Sequence, residues 1–512
     1  MTRTAFAAAL AASLLLAACQ TPPSTAAKDA GAAPTAFPPP PAPPAPPAPA
    51  LEASTAYMDM AASQRRAMAS PGHPAMPLPR PMPPVEATNR EDYAAIEDNP
   101  VRRASEHPVS TFSVDVDTGS YSNVRRMLRA GVRPPPDAVR AEEFINYFSY
   151  GHPAPENRDV PFRVTTELAP APWDARRHLL MVGIKGYDVP KAELPPANLV
   201  FLIDTSGSMH SPDKLPLLRK AFAALTDQLR RQDTVSIVAY AGSAGLVLPP
   251  TSGDRKGEIL AALERLQAGG STNGGAGIEL AYAMARQAYV EGGANRVILA
   301  TDGDFNVGTV RRDALVAMVA DQRRSGIALT TLGFGTGNYS DAMAERLADA
   351  GDGNHAYIDT LLEARKVLVE EMSSTLLTIA RDVKVQVEFN PAVVAEYRLV
   401  GYSNRMLREE DFANDRVDAG DIGAGHEVTA LYEIALAGSG GERLPALRYA
   451  GPAPATAHAG ELGHLRLRYK LPGADDSRLI EVPLQRADIA AAPGRSLRFA
   501  ATVAAFADAL PR

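Results

Sequence analysis

One short segment of the sequence places three oxygen-bearing side chains on a single turn. In Asp204-Thr205-Ser206-Gly207-Ser208, the side chains of Asp204, Ser206 and Ser208 all offer oxygen, and Gly207 allows the backbone to bend sharply. Such a turn could hold a metal ion. It could also be an ordinary turn and helix cap, because serine, threonine and aspartate are common at helix starts.

Two further segments supply oxygen ligands of the same kind. Residues 269–275 are rich in glycine and contain the hydroxyl of Thr272, and Asp302 lies in the run Thr301-Asp302-Gly303-Asp304. None of the three segments contributes sulfur or imidazole. Because hard oxygen ligands suit hard cations, the set favours Mg²⁺, with Ca²⁺ or Mn²⁺ as alternatives.

The elements around these segments predict how they come together. Residues 198–203 form a continuous apolar run, which is typical of a strand buried on both faces of a parallel sheet. Alternating helices and strands follow, which predicts a doubly wound α/β domain, and in such sheets ligands bind beyond the carboxyl ends of the strands. We predict further strands at 235–240, 296–300, 327–334 and 355–358, and helices at 215–229, 256–266, 277–289, 311–324, 341–348 and 361–377.

Together the three segments resemble the metal-ion-dependent adhesion site of von Willebrand factor A (VWA) domains. The resemblance implies a Rossmann-like domain over residues 195–380. It also implies that Ser206, Ser208 and Thr272 ligate the cation directly, that Asp204 and Asp302 act largely through water, and that a sixth position accepts a partner's carboxylate. Asp304 would support the site from behind the ligands or be solvated.

A wider similarity covers residues 110–512. The runs 115–126, 142–148, 301–308 and 397–402 resemble the YfbK-type bacterial VWA lipoproteins. That family carries a flanking segment before the VWA domain and a C-terminal region of unassigned role. The resemblance therefore implies a VWA protein but does not name its ligand.

The flanking regions are predicted to consist mainly of strands. Residues 110–194 predict strands at 111–117, 162–168 and 178–184, with a turn and cap at Asp117 to Ser120 before helices at 122–130 and 138–148. Residues 381–512 predict a β-rich domain with a terminal helix at 497–510. We expect a β-sandwich in which residues 162–184 complete the sheets of the C-terminal domain. The predicted C-terminal strands are 383–389, 396–399, 427–435, 464–469 and 480–483.

The N-terminus predicts export and lipidation. Arg3 and a short apolar stretch precede Leu16-Ala17-Ala18-Cys19, which resembles a bacterial lipobox after an 18-residue signal peptide. An ordinary secretory signal is the alternative. Cys19 is the chain's single cysteine, so an internal disulfide is excluded. Because Gln20 is not aspartate, known sorting rules favour an outer-membrane anchor in the cell envelope.

Residues 19–109 predict a disordered linker rich in proline, alanine and methionine. Ten of the seventeen residues from 34 to 50 are proline, which favours an extended spacer. The methionines after residue 51, together with His73, could bind Cu(I), but their loose spacing favours a plain linker.

Several other functions find little support. The net charge of −7 without a long basic run argues against nucleic-acid binding. Asp117-Thr118-Gly119-Ser120 resembles one half of an aspartic-protease site, but the second half is missing. Residues 333–338 fail the spacing of a nucleotide loop. Asp418 and Asp421 favour a turn, with calcium binding as the alternative.

The predicted function is therefore metal-dependent binding of a protein with an exposed Asp or Glu. A metal that only stabilises the fold is the first alternative. A metal-dependent hydrolase is the second, and it would need a general base. The three segments contain no histidine or lysine, and His210 reads as a surface residue at a helix start.

Overall fold

The computed structural model describes residues 91–510, apart from residues 96, 272–273, 304–311, 338, 446 and 449–457. The signal peptide, Cys19, the proline-rich stretch and the methionine-containing segment lie outside the described residues, as do Thr272 and Asp304. Among the helices of the described part, none combines the length and the apolar character needed to cross a membrane.

Seventeen strands occur within the described residues. In chain order they are β1 (Arg102–Arg103), β2 (Val109–Ser113), β3 (Phe162–Ala171), β4 (Asp174–Gly186), β5 (Ala197–Asp204), β6 (Thr234–Tyr240), β7 (Ala244–Ser252), β8 (Ala294–Thr301), β9 (Ala328–Phe334), β10 (His355–Ile358), β11 (Thr378–Phe389), β12 (Val394–Val400), β13 (Met406–Leu407), β14 (Ile422–Gly423), β15 (Glu427–Leu436), β16 (Glu461–Lys470) and β17 (Ser477–Gln485).

Ten α-helices accompany these strands in the described part of the chain. They are α1 (Gly119–Arg129), α2 (Ala141–Asn146), α3 (Leu215–Thr226), α4 (Lys256–Glu264), α5 (Gly274–Gln287), α6 (Arg312–Arg324), α7 (Asp341–Ala350), α8 (Leu361–Arg365), α9 (Met372–Leu376) and α10 (Arg495–Ala509).

The central domain is a six-stranded sheet with helices on both faces. Its strand order is β10-β9-β8-β5-β6-β7, and all neighbours are parallel except β6 and β7. Helices α3, α4, α8 and α9 pack on one face, where the rings of Phe201 and Phe222 stack 4.2 Å apart. Helices α5, α6 and α7 cover the other face. The predicted doubly wound α/β architecture is confirmed.

Two features of this domain differ from the sequence prediction. Strand β7 was not predicted, because Pro249 and Pro250 argue against a strand; an edge strand tolerates proline, since only one of its sides is paired. The predicted helix at 361–377 is interrupted by a π-helical turn, Lys366–Glu370, between α8 and α9. A wider single turn leaves the apolar pattern almost unchanged, so periodicity cannot reveal it.

The remaining strands form two antiparallel sheets packed face to face. One has the order β1-β12-β15-β4-β3, and the other has the order β13-β2-β11-β16-β17 with β14 paired to β11. Side chains from both sheets, including Val182, Tyr432, Val385 and Leu465, share one core. Strands β3 and β4 pair with β15 in the same sheet, so the expected sandwich containing residues 162–184 is confirmed.

The central domain is inserted into this sandwich. The chain enters it after β4 and leaves it into β11, and both points contact the turn before β15: Gly186 N donates to His426 O, and Thr378 pairs with Gly423. Helices α1, α2 and α10 cover the outer face of the β4–β15 sheet, and α1 also contacts β10.

The flanking elements before the insertion are shorter or shifted relative to prediction. The predicted strand at 111–117 ends at Ser113, and the helix predicted from 138 to 148 spans Ala141–Asn146. Helix α1 begins at Gly119, earlier than the predicted start at 122, and its N-cap residue is Thr118, within the predicted turn and cap at Asp117 to Ser120. An added Cβ at Gly119 would lie 3.1 Å from the His355 ring, so glycine allows the start of α1 to approach this ring closely.

Candidate metal site

Three loops meet at the carboxyl edge of the central sheet. The first follows β5 and the third follows β8, and these strands are paired neighbours. The second loop precedes α5 and is fastened to the first by two backbone hydrogen bonds: Gly207 N donates to Gly270 O at 3.1 Å, and Gly269 N donates to Thr205 O at 2.8 Å. The topology thus brings together the segments that the sequence analysis selected.

Asp204 is buried and is held by three donors. Its Oδ1 accepts from Ser206 N at 2.8 Å, and its Oδ2 accepts from Tyr240 OH at 3.3 Å and Thr301 Oγ1 at 3.2 Å. Burial raises the pKa of the Asp204 carboxyl to about 6, with a further rise caused by Asp302. The site therefore holds a carboxylate that a nearby cation would stabilise.

The two serines lie beside this carboxylate at a spacing that suits a small cation. Ser206 Oγ and Ser208 Oγ are 3.0 Å apart; Ser206 is buried, whereas Ser208 is exposed. Adjacent ligands of an octahedral ion with bonds of about 2.1 Å are about 3.0 Å apart, whereas bonds of about 2.4 Å require about 3.4 Å. The 3.0 Å spacing, which is also that of a hydrogen bond between the two hydroxyls, would allow both oxygens to contact one divalent cation.

Asp302 is fully buried and has a lysine partner that the sequence analysis missed. Lys214 Nζ donates to Asp302 Oδ2 at 2.8 Å, and Lys214 is itself buried. The three loops themselves contain no lysine, so Lys214 was not among the predicted site residues. Lys214 lies just before α3, six residues after Ser208, and only the packing of the loops shows where its side chain points.

The third loop also depends on a glycine. Gly303 has φ +91°, its N–H donates to Thr301 Oγ1 at 3.1 Å, and an added Cβ would lie 2.2 Å from Ser340 N. Glycine is therefore required where this loop passes the start of α7.

The structure does not place every predicted residue of the site. Thr272 and Asp304 lie outside the described residues, and the described residues nearest to Thr272 are Ser271 and Gly274. Among the described residues, no group of three or more His, Cys, Asp or Glu side chains is arranged to hold a metal. The described ligand candidates are therefore Asp204, Asp302 and the hydroxyls of Ser206 and Ser208.

The aspartates considered for a protease site or a calcium site form contacts within the fold instead. Asp117 accepts from His355 N at 2.7 Å and faces Arg405, so it is not paired with Asp204 as a protease would require. Asp418 forms an ion pair with Arg323, and Asp421 accepts from Asp382 N.

A second charged cluster joins the N-terminal helices, the central domain and the sandwich; we call it the junction network. Arg140 forms ion pairs with Glu143, Asp341 and Glu345, and Arg405 faces Asp115, Asp117 and Glu345. Glu142 is a sixth buried carboxyl group, and burial raises its pKa to about 7. This network fixes α7, whose preceding residue touches the third loop of the site.

Family models match three parts of the chain. The model of the von Willebrand factor type A domain matches residues 198–371, a model described as von Willebrand factor matches residues 87–181, and the model of the C-terminal region of the uncharacterized protein YfbK matches residues 374–512. The central match spans the inserted domain and all three loops.

Individual proteins are similar to this chain over much of its length. The Escherichia coli protein YfbK is 50% identical over 82% of this chain and 74% of its own length. The Synechocystis protein sll0103 is 26% identical over 62% of this chain and 71% of its own length. A solved von Willebrand factor type A structure from Catenulispora acidiphila is 18% identical, covers 69% of this chain and 79% of that chain, and has a TM-score of 0.39.

Proposed function

Because the chain belongs to the family of the Escherichia coli protein YfbK and contains a von Willebrand factor type A domain, we propose that it binds a partner protein through a divalent cation held at the carboxyl edge of its central sheet. One observation carries the proposal. The buried carboxylates of Asp204 and Asp302, which come from two loops, lie at that edge together with the hydroxyls of Ser206 and Ser208, which are 3.0 Å apart.

Mg²⁺ is the proposed ion. Ser206, Ser208 and Thr272 would hold it directly, with Asp204 and Asp302 behind them. When bound, the ion would supply a positive charge able to accept a carboxylate oxygen. The proposed partner is therefore a protein with an accessible Asp or Glu.

Binding is favoured over hydrolysis by the surroundings of the site. A hydrolase would need a general base beside the ion. Among the described residues, the basic side chain placed at the edge is Lys214, which is engaged by Asp302, and His210 is exposed on the following turn.

We further propose that the chain is anchored in the cell envelope through a lipidated Cys19, with the outer membrane favoured by Gln20. The lipobox-like run before the chain's single cysteine supports this proposal. Mass spectrometry of the protein from a membrane fraction would test it, because lipidation adds a diacylglyceryl group and removes residues 1–18.

The metal is tested first by thermal and chemical unfolding in Mg²⁺ and in EDTA. At a free Mg²⁺ concentration of 100 times Kd, we expect a gain of about 2.7 kcal/mol in the free energy of unfolding. Asp204→Ala should abolish that gain. Asp475→Ala, in an exposed turn of the sandwich, is the matched control and should keep it.

Partner binding is tested by affinity capture from an envelope extract with the same three proteins, each in Mg²⁺ and in EDTA. A protein retained by wild type and Asp475→Ala only in Mg²⁺, and not by Asp204→Ala, would support adhesion. Metal-dependent stability with an identical captured set in all runs would instead support a purely structural metal.

A further inference from the structure

We propose that Lys214 is a built-in counter-cation of the metal site, which lowers its affinity for divalent ions and gives the loaded site a net positive charge. This inference rests on the proposed function, since it concerns the same site. It adds a residue outside the three loops that sets the charge of the site.

The position of Lys214 is fixed from both ends of its side chain. Its Nζ donates to Asp302 Oδ2 at 2.8 Å, and the side chains of both residues are buried, with 7% and 0% of their surface exposed. The backbone of Lys214 occupies the N-cap position of α3, six residues after Ser208. The ammonium group therefore belongs to the interior of the site.

A glycine on a separate loop makes room for the lysine stem. Gly335 follows β9 with φ +74°, and an added Cβ would lie 2.3 Å from Lys214 Cγ and 2.3 Å from Lys214 Cε. No side chain other than hydrogen fits there while the lysine remains in place. The slot beside Gly335 thus holds the lysine in one orientation, toward Asp302.

The charge balance gives this arrangement a consequence. Among the described residues of the site, Asp204 and Asp302 contribute −2 when ionised, and Lys214 brings the metal-free sum to −1. A bound dication brings it to +1, and a partner's carboxylate then neutralises it. Without Lys214, the same dication would already neutralise the site, and a carboxylate would leave it negative. Lys214 therefore weakens metal binding while favouring an anionic partner.

The test is a titration of the full chain with Mg²⁺ alone, followed by calorimetry. Lys214→Met keeps most of the stem and removes the charge, and Lys214→Gln keeps a donor for Asp302. Like charges a few ångströms apart at an effective dielectric of about 20 change an equilibrium constant by roughly tenfold or more. We expect both variants to bind Mg²⁺ at least about tenfold more tightly. Lys220→Met, exposed on the same helix, should bind like wild type.

The outcomes separate the two proposals. Mg²⁺ binding by wild type with equal or weaker binding by the folded Lys214 variants would overturn the counter-cation role and leave the metal site intact. No Mg²⁺ binding by wild type or by either variant would overturn the metal site and the counter-cation with it. If Lys214→Met does not show the wild-type circular dichroism spectrum, Lys214→Gln decides.

Discussion

At the carboxyl edge of the central sheet, one ammonium group, that of Lys214, pairs with Asp302 and a second buried carboxylate, Asp204, lies nearby, whereas in the junction network six buried carboxyl groups face two arginines. Both regions have more acid than base. At the carboxyl edge, the side chain of Ser208 is exposed to solvent, so a cation could reach the site there. In the junction, burial raises the pKa of Glu142, Glu143 and Asp117, which favours proton binding by these carboxyl groups. An excess of buried acid can thus be balanced from outside in two ways, by the proposed metal or by protons.

Breaking the junction should have the largest effect on stability. Arg140→Met leaves three buried carboxyl groups without their arginine, and loss of one partner from a buried pair costs about 3–5 kcal/mol. Urea unfolding should show that loss. Arg324→Met, which removes an exposed partner of Asp321, should cost less than about 1 kcal/mol. Similar losses for both variants would show that the junction does not depend on Arg140.

The role of protons in the junction network can be tested with the variant Glu142→Gln. The pKa of Glu142 is raised from 4.5 to about 7 in the fold. Its stabilising contribution is therefore complete below pH 4.5 and is lost as the pH rises through 7. By linkage this loss amounts to about 3 kcal/mol at most.

The glutamine variant should accordingly match wild type at pH 4.5 and exceed it by about 2–3 kcal/mol at pH 8, as measured by urea unfolding at both pH values. Glu156→Gln, on an exposed loop, should show no such difference. Equal stability of Glu142→Gln and wild type at pH 8 would contradict the proton-balanced description of the junction.

The smallest effect is expected when the carboxyl edge of the central sheet is altered without changing its charge. Thr301→Val keeps the shape of the side chain but removes the donor to Asp204 Oδ2 and the acceptor for Gly303 N. We expect a loss of about 1 kcal/mol in the free energy of unfolding and a severalfold weaker affinity for Mg²⁺. Urea unfolding in EDTA and calorimetry measure the two effects separately. Thr502→Val, on the exposed face of α10, is the control for both, and an unchanged Mg²⁺ affinity in Thr301→Val would mean that Asp204 does not need this donor.

The two regions also differ in how much of them sequence can predict. The residues of the edge follow strand ends in three short segments, so local patterns located Asp204, Ser206, Ser208 and Asp302. Lys214 and Gly335 could not be found in this way, because their contact depends on how the loop after β9 packs against the start of α3. The junction network joins residues near 140 with residues near 341 and 405, and no local pattern links them. Strand β7 was missed because its prolines are acceptable only at a sheet edge.

The insertion of the central domain into the sandwich has a consequence for the order of folding. All strands of the inserted domain lie between residues 197 and 358, so it can complete its sheet from contacts close in sequence. The sandwich cannot: the hydrogen bond from Tyr432 to Ser110 spans 322 positions, and β4, which pairs with β3 on one side, finds its other partner only in β15. Chain segments separated this far close slowly, and synthesis delivers the C-terminal strands last. During synthesis the β3–β4 hairpin therefore has one long edge unpaired, and this edge needs protection from aggregation until the C-terminal strands are made.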